Sequence, residues 1–236
     1  MVEPRPAGNF GSGPDAGVHT METREFAERA RLVEDPAGAR TLYDEWAPTY
    51  DADMAGPDGT DYPLPEIVAD VVARLDGPGS DVLDAACGTG LVGAALARRG
   101  FTSVDGLDIA PRMVTRARAR GAYHDLGPAD LSQRLPGAPD KFGVVTCVNA
   151  LEPGHLPRSS LVEFARVVHR GGHIVITVSS GSWPDVESHL RRLTTRGVAR
   201  LVEASEQPLH PSRGTTHHVV VLEVIASSAP ATGLGW

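Results

Sequence analysis

The chain is poor in several residue types. Of its 22 basic residues only one, Lys141, is lysine; it has two cysteines, and aromatics make up 5% of it. Two cysteines, Cys87 and Cys147, form neither a disulfide framework nor a four-ligand zinc set. Each sits in or beside an apolar strand pattern and reads as a small buried side chain. No apolar run approaches the ~18 residues that cross a bilayer. No basic segment followed by an apolar one opens the chain, so no signal peptide is expected. The expectation is a cytoplasmic protein without a membrane partner. Positive charge is also scarce: 30 acids against 22 bases give a net charge of −8. Bulk attraction to a phosphate backbone is thereby disfavoured, a local basic patch aside, and nucleic acid is not an expected partner. Arginine in place of lysine, with abundant Ala, Gly and Pro, fits coding in a GC-rich, bacterial genome.

What is present suffices for one α/β domain with a small extra lobe: 236 residues, 41% of them hydrophobic. Residues 1–20 are rich in Gly and Pro and read as a tail. Thr20 begins a predicted helix over 21–34, and Asp35 with Pro36 begins another over about 36–46, stopped by Pro48. A Gly/Pro loop spans 54–64. PEIVADVVARL (65–75) has its apolar groups on one face. Residues 21–75 thus form an N-terminal helical lid. From 76 to 226, strands and helices alternate: strands near 81–86, 103–108, 122–126, 142–149 and 173–180, with helices at 91–99, 111–120, 158–169 and 184–196. That rhythm predicts a doubly wound parallel sheet covered on both faces. Two last strands, 198–205 and 217–225, are joined by a link too short for a crossover helix. They read as an antiparallel C-terminal hairpin, and 227–236 as a second tail.

The chemistry concentrates in VLDAACGTGLVG (82–93). Ligands of open parallel sheets bind beyond the carboxyl ends of the strands. Gly88 and Gly90 permit a sharp turn and close approach of a ligand, and Gly93 permits close helix packing. The second strand ends in Asp108, about 18 residues after Gly90, where an acid accepts both hydroxyls of a ribose. A nucleoside cofactor follows. Two classes share this description. A dinucleotide carries a pyrophosphate, which favours a helix N-terminus and no nearby anion. S-adenosylmethionine carries an ammonium and a sulfonium instead. Asp84, four residues before Gly88, repels the first and attracts the second.

These segments resemble class I S-adenosylmethionine-dependent methyltransferases. VLDAACGTG is similar to their first motif and VDGLDIAPRMVTRAR (104–118) to their second. ADL (129–131) is similar to the segment beside the adenine, FGVVTCVNALEPGHL (142–156) to the fourth-strand segment, and LVEFARVVHRGGHIVITV (161–178) to the helix, glycine turn and fifth strand. LYDEWAPTYD (42–51) and GHLP (154–157) resemble, more narrowly, the methyltransferase-like proteins named after the Williams–Beuren chromosomal region. The resemblance implies a Rossmann-like, seven-stranded, mostly parallel sheet with its last strand antiparallel. By position it assigns Asp84 and the loop Ala86, Cys87, Gly88 and Gly90 to the methionine part of the cofactor. It assigns Asp108 to the ribose, Ile109 and Met113 to the adenine faces, Asp130 and Leu131 to the adenine edge, and Asn149 and Ala150 to the cofactor wall after the fourth strand. Tyr50 is placed against the sulfonium, with Trp46 a second aromatic at the entrance.

His155, in the loop after the fourth strand, is the candidate general base; a surface or structural histidine is the alternative. His124 and Glu152 are weaker candidates. His210, His217 and His218 show no metal-ligand spacing, and methyl transfer from a sulfonium needs no metal, so none is expected. The acceptor is expected to be a small, partly apolar molecule held by 43–64, 150–157 and 179–188, in a setting such as natural-product biosynthesis. A second function stays open: a methyltransferase fold repurposed for a non-methylating reaction such as cyclisation. A nicotinamide enzyme is disfavoured by Asp84. The product of the first reading is S-adenosylhomocysteine; oligomeric state is not legible.

Overall fold

A computed structural model describes residues 25–56, 59, 61–210 and 214–226. The expected tails at 1–20 and 227–236 lie outside the described residues. Residues 25–31 are helical (α1). Helix α2 (Pro36–Trp46) starts as expected: Asp35 caps it by accepting the Gly38 N–H at 2.7 Å, with proline in the first turn. Pro48 falls in the turn that separates α2 from a short helix, α3 (Tyr50–Ala55). The periodicity did not reveal α3, because six residues carry less than two helical turns of pattern. Helix α4 (Leu64–Leu75) buries Val68, Val71 and Val72.

The sheet has seven strands in the order β3-β2-β1-β4-β5-β7-β6. They are β1 (Val82–Ala85), β2 (Val104–Asp108), β3 (Asp125–Pro128), β4 (Phe142–Cys147), β5 (Val168–Ser179), β6 (Ala199–His210) and β7 (Thr215–Val224). The pairs from β3 through β5 are parallel, while β7 runs antiparallel to both β5 and β6. The predicted mostly parallel sheet with a terminal antiparallel hairpin is therefore present. Helices α5 (Leu91–Arg98), α6 (Pro111–Ala119), α7 (Ser160–Val167) and α8 (Trp183–Thr195) complete the α/β alternation.

The sheet's two faces are buried in separate cores. One is built around Leu161, Phe164 and Leu190 with the apolar side of β4 and β5, the other around Val68, Val72, Leu96 and Phe101. A small third cluster, Ala47, Ala110 and Met113 with Tyr43 and Tyr50 against it, joins the lid to α6. Two strands depart from expectation. Strand β3 begins at Asp125 rather than near 122, since Tyr123 turns inward beneath the sheet end. Strand β5 begins directly after α7, and HRGG (169–172) is a bulge within it: the register against β4 slips between Phe142 and Val144. Glycine suits the bulge because a Cβ on Gly172 would stand 2.5 Å from the Gly143 carbonyl.

Candidate active site

The ends of β1, β2 and β4 and the loop after β3 open under the lid into a cavity of about 660 Å³, its mouth included. Its floor is Ala86 and Gly88 from the β1 loop, Asp108 and Ile109 from β2, and Met113 from α6. Asp130 and Leu131 line one side, Val148, Asn149 and Ala150 the other. The roof is Pro36, Ala39 and Tyr43 of α2 with Tyr50 of α3, and His155 and Leu156 close the end. A second cavity of about 310 Å³ is walled by Cys87, Thr89, Leu91 and Val92 with Tyr62 and Pro65. Tyr50, Ala86, Gly88 and Val148 line both, so the two spaces meet at these four residues.

Most of the sequence-nominated residues are thus brought together around one space. Of the residues assigned to the cofactor loop and its neighbours, Asp84, Cys87 and Gly90 stand apart from it. Cys87 lines only the smaller cavity. Gly90 lines neither cavity and heads α5, with φ of 86°. Asp84 also lines neither; it lies beneath the loop at 1% exposure. The Tyr123 hydroxyl donates to its Oδ2 at 2.7 Å and the Thr146 hydroxyl to its Oδ1 at 2.9 Å. Gly93 has a specific task here: a Cβ on it would stand 2.3 Å from Cζ of Tyr123, and one on Gly106 would stand 2.8 Å from the same ring. The third glycine of the motif therefore admits the tyrosine that holds Asp84. A Cβ on Gly88, by contrast, would project into open space, as expected of a loop that receives a ligand.

Asp108 is 7% exposed and ties its own surroundings together. The Gly88 N–H donates to Oδ2 and the Ala110 N–H to Oδ1, both at 2.8 Å. Burial raises both carboxyls, Asp84 and Asp108, to about 6, against the opposing pull of their hydrogen-bond donors. No lysine or arginine stands on either cavity wall among the described residues. The floor is thus anionic at neutral pH and matches a cationic ligand.

The sign for stability follows. Folded values above the unfolded ones mean that ionisation opposes folding, so these two groups favour the ligand-free fold increasingly as pH falls from above about 6 towards 4. Asp84→Asn is therefore expected to leave the melting temperature of the ligand-free protein at pH 7.5 unchanged or higher. It is expected to weaken S-adenosylmethionine binding about tenfold, through loss of one buried charge; thermal melts with and without the nucleoside check both.

The lid is fastened at several points. Asp44 accepts the Arg112 N–H in the first turn of α6 at 2.7 Å. Asp51 accepts the Thr89 hydroxyl and pairs with Arg120, each at 2.5 Å. Trp46 does not reach the cavity: it is 4% exposed, donates Nε1–H to Asp53 at 2.7 Å and stacks on Phe26. Glu152 is held by the Ser179 N–H and hydroxyl at 3.0 and 2.9 Å and by the Ser182 hydroxyl at 2.5 Å, which anchors the loop after β4 to the end of β5. His124 is exposed beside Asp105. Segment 179–188 lines neither cavity; Trp183 instead stacks on His218, with centroids 4.4 Å apart.

His155 lies on the wall, edge-on to Tyr43 with ring centroids 5.6 Å apart. Its Nδ1–H donates to the Pro153 carbonyl at 3.1 Å. The neutral ring then carries its lone pair on Nε2, a buried atom without a hydrogen-bond partner among the described residues. Gly154 seats this loop: a Cβ there would meet the Val33 carbonyl oxygen at 1.7 Å. Sequence reasoning did not single out Tyr43 or Tyr62, and it weighed His217 only as a metal ligand and set it aside. Two further signals were readable only from the fold: Ala86 and Asn149 have left-handed φ of 59° and 58°, a strain that collects at binding sites. His217, 3% exposed, meets the Asn149 side chain with Nε2 at 2.8 Å from Oδ1.

A strand order of 3-2-1-4-5-7-6, a glycine loop after β1 and an acid ending β2 define a class I S-adenosylmethionine-dependent methyltransferase. A family model described as a methyltransferase domain matches residues 82–172. The chain is 36% identical over 172 residues to human Methyltransferase-like protein 27, covering 71% of this chain and 69% of that protein. The chain belongs to this methyltransferase-like family. It is 34% identical over 136 residues to a ubiquinone biosynthesis O-methyltransferase of Xanthomonas oryzae, covering 54% of each chain. Among solved structures it is similar to the [4+2]-cyclase SpnF, with a TM-score of 0.62, 17% identity, and coverage of 82% of this chain and 99% of that one; this likeness is of fold. Among the described residues no helix is long and apolar enough to cross a membrane, and no group of three or more His, Cys, Asp and Glu is placed to hold a metal.

Proposed function

We propose that this methyltransferase acts on a hydroxyl group of a small, uncharged, partly apolar acceptor. The observation that carries the reading is the wall itself: the carboxylates of Asp108 and Asp130, tyrosines and one unpaired imidazole nitrogen, with no cationic side chain among the described residues. The residues fit the cofactor. Gly88 leaves room for it; Asp108 would take the ribose, Ile109 and Met113 the faces of the adenine and Asp130 its edge, with Leu131, Asn149 and Ala150 alongside, all of them lining one cavity. Asp84 acts on the cationic part through its charge, from beneath the loop. Bound, S-adenosylmethionine supplies an electrophilic methyl whose C–S bond breaks as the acceptor oxygen attacks in line, the electron pair remaining on sulfur.

The chain's part is to align, to exclude water and to take the acceptor's proton at His155 Nε2. Burial pushes the hydroxyls of Tyr43, Tyr50 and Tyr62 well above their usual range, so they stay neutral and do not compete with His155 as bases. That no described residue brings a cation to the wall argues against phosphate- or carboxylate-bearing acceptors, and the net charge of −8 against nucleic acid. An Xanthomonas relative named as an O-methyltransferase supports oxygen as the atom methylated. The arginine- and alanine-rich composition fits a bacterial natural-product setting.

The test is to incubate the protein with S-adenosylmethionine and a panel of phenols, aliphatic alcohols, amines and carboxylates, following S-adenosylhomocysteine by mass. Turnover confined to neutral hydroxyl compounds is the expected result. Cofactor bound but never demethylated would favour a reaction of another kind, such as the cyclisation named for SpnF.

A further inference from the structure

The link from β3 to β4, residues 129–141, passes β2 and β1 in the sheet order and contains no helix. It carries Asp130 and Leu131 of the cavity wall. The backbone of such a link needs hydrogen-bond partners from elsewhere in the molecule. One face of α7 supplies them through Ser160, Glu163 and Arg166, spaced three residues apart. The Ser160 hydroxyl donates to the Leu131 carbonyl at 2.9 Å. Glu163 Oε2 accepts the Leu135 N–H at 3.1 Å, and Arg166 donates to the carbonyls of Leu135 and Gly137 at 3.0 and 3.4 Å. Arg166 is itself buried and paired with Glu163 at 2.8 Å. Its backbone carbonyl accepts the N–H of Asp140, which has a left-handed φ of 57°.

The reach of Ser160 goes beyond anchoring. The Leu131 carbonyl and the Ser132 N–H belong to one peptide group, which is planar and turns as a unit. Ser160 holds the oxygen of that group, and its N–H donates to Asp130 Oδ1 at 2.9 Å. Turning the peptide therefore turns the carboxylate with it. Ser160 is buried in the first turn of α7, its own N–H bonded to the Pro157 carbonyl at 3.0 Å. A fixed helix thus acts through a single plane on a carboxylate of the cavity wall. With Oδ1 occupied, Oδ2 is the oxygen left for a ligand.

We propose that Ser160 is a positioning residue that makes the site select an amino-bearing purine: through the peptide after Leu131 it holds Asp130 Oδ2 for the exocyclic amine of adenine. The proposal rests on the reading that Asp130 meets the adenine edge. An ionised carboxylate only accepts hydrogen bonds. Adenine offers it a donor at the exocyclic position, whereas hypoxanthine has a carbonyl there and meets it lone pair to lone pair. Hypoxanthine does carry a donor, N1–H, on the next ring atom. A carboxylate free to turn reaches that donor, and one held through Ser160 does not. Discrimination between the two bases therefore depends on a serine that touches neither.

The experiment compares the affinities of S-adenosylhomocysteine and S-inosylhomocysteine, its hypoxanthine counterpart, by calorimetry at pH 7.5. The proteins are the wild type, Ser160→Ala and Asp130→Asn. The wild type should prefer the adenine nucleoside. Asp130→Asn, whose amide can donate to the hypoxanthine carbonyl, should lower that preference about 10- to 100-fold. Ser160→Ala should lower it about three- to tenfold, with the affinity for S-inosylhomocysteine kept or increased. A serine with a structural role alone would weaken both nucleosides alike. An unchanged ratio in Ser160→Ala beside a changed one in Asp130→Asn therefore overturns the proposal and leaves the site reading intact. An unchanged ratio in Asp130→Asn overturns the reading of Asp130 at the base, and the proposal with it. If Ser160→Ala does not fold, Ser160→Cys takes its place, since a thiol is a weaker donor of similar size; a preference equal to the wild type's there overturns the proposal. Binding of neither nucleoside by the wild type overturns the cofactor reading itself, and is thereby distinguishable.

Discussion

Replacing Asp108 by alanine is expected to weaken binding of S-adenosylmethionine and S-adenosylhomocysteine alike, by about 100-fold or more. Two effects combine. On the proposed reading the carboxylate accepts the two ribose hydroxyls, and each hydrogen bond to a charged group contributes ~1.5–3 kcal/mol. The same carboxylate accepts the N–H groups of Gly88 and Ala110, so its loss also frees the loop that must receive the ligand. Calorimetric titration of both nucleosides checks it. Equal loss for both is essential to the argument, because the ribose is common to them. A variant that discriminated strongly between the two would place Asp108 near the sulfur instead. Asp108→Asn separates the two effects: it keeps one acceptor for the backbone but removes the charge, and should fall between wild type and alanine.

His155→Ala should leave the affinity for S-adenosylhomocysteine within about twofold of wild type and lower kcat on a hydroxyl acceptor by about 100-fold or more, the usual contribution of a positioned base. The Pro153 carbonyl fixes the tautomer, so the proton-accepting atom is Nε2. Glutamine at this position supplies polarity but no base and should not restore turnover. The variant's deficit should shrink as pH rises and the acceptor hydroxyl ionises in solution, which separates loss of a base from loss of shape. An unchanged kcat in His155→Ala would show that alignment alone supplies the rate and that the acceptor loses its proton to water.

The two residues were legible for different reasons. Asp108 was visible because a βα unit sets the distance from the glycine loop to the end of the next strand, and 108 ends that strand as the spacing required. His155 was visible only as a polar residue in the correct loop. What singles it out, the Pro153 contact and the bare Nε2, depends on how Gly154 packs against Val33 of the lid. Asp84 was legible as an acid beside the glycine loop; its place beneath that loop was not. Its hydrogen bonds come from Tyr123 and Thr146, 39 and 62 residues away in the chain, and no local pattern connects them. Trp46 was nominated for the entrance by its aromatic character; packing on Phe26 and a bond to Asp53 turned it into the lid's own core.

By itself, the sequence determined the alternation of strands and helices, the direction of the sheet, the glycine loop and the acid that follows it. These rest on periodicity and on spacing within single βα units, where neighbours in the chain are neighbours in space. Only the tertiary structure decided that His217, near the end of the chain, stands behind Asn149. β7 is inserted antiparallel between β5 and β6. That insertion carries the first residues of the last strand to the carboxyl ends of the parallel strands. A contact between residues 68 positions apart follows from strand order, and strand order is settled by which faces bury best against one another.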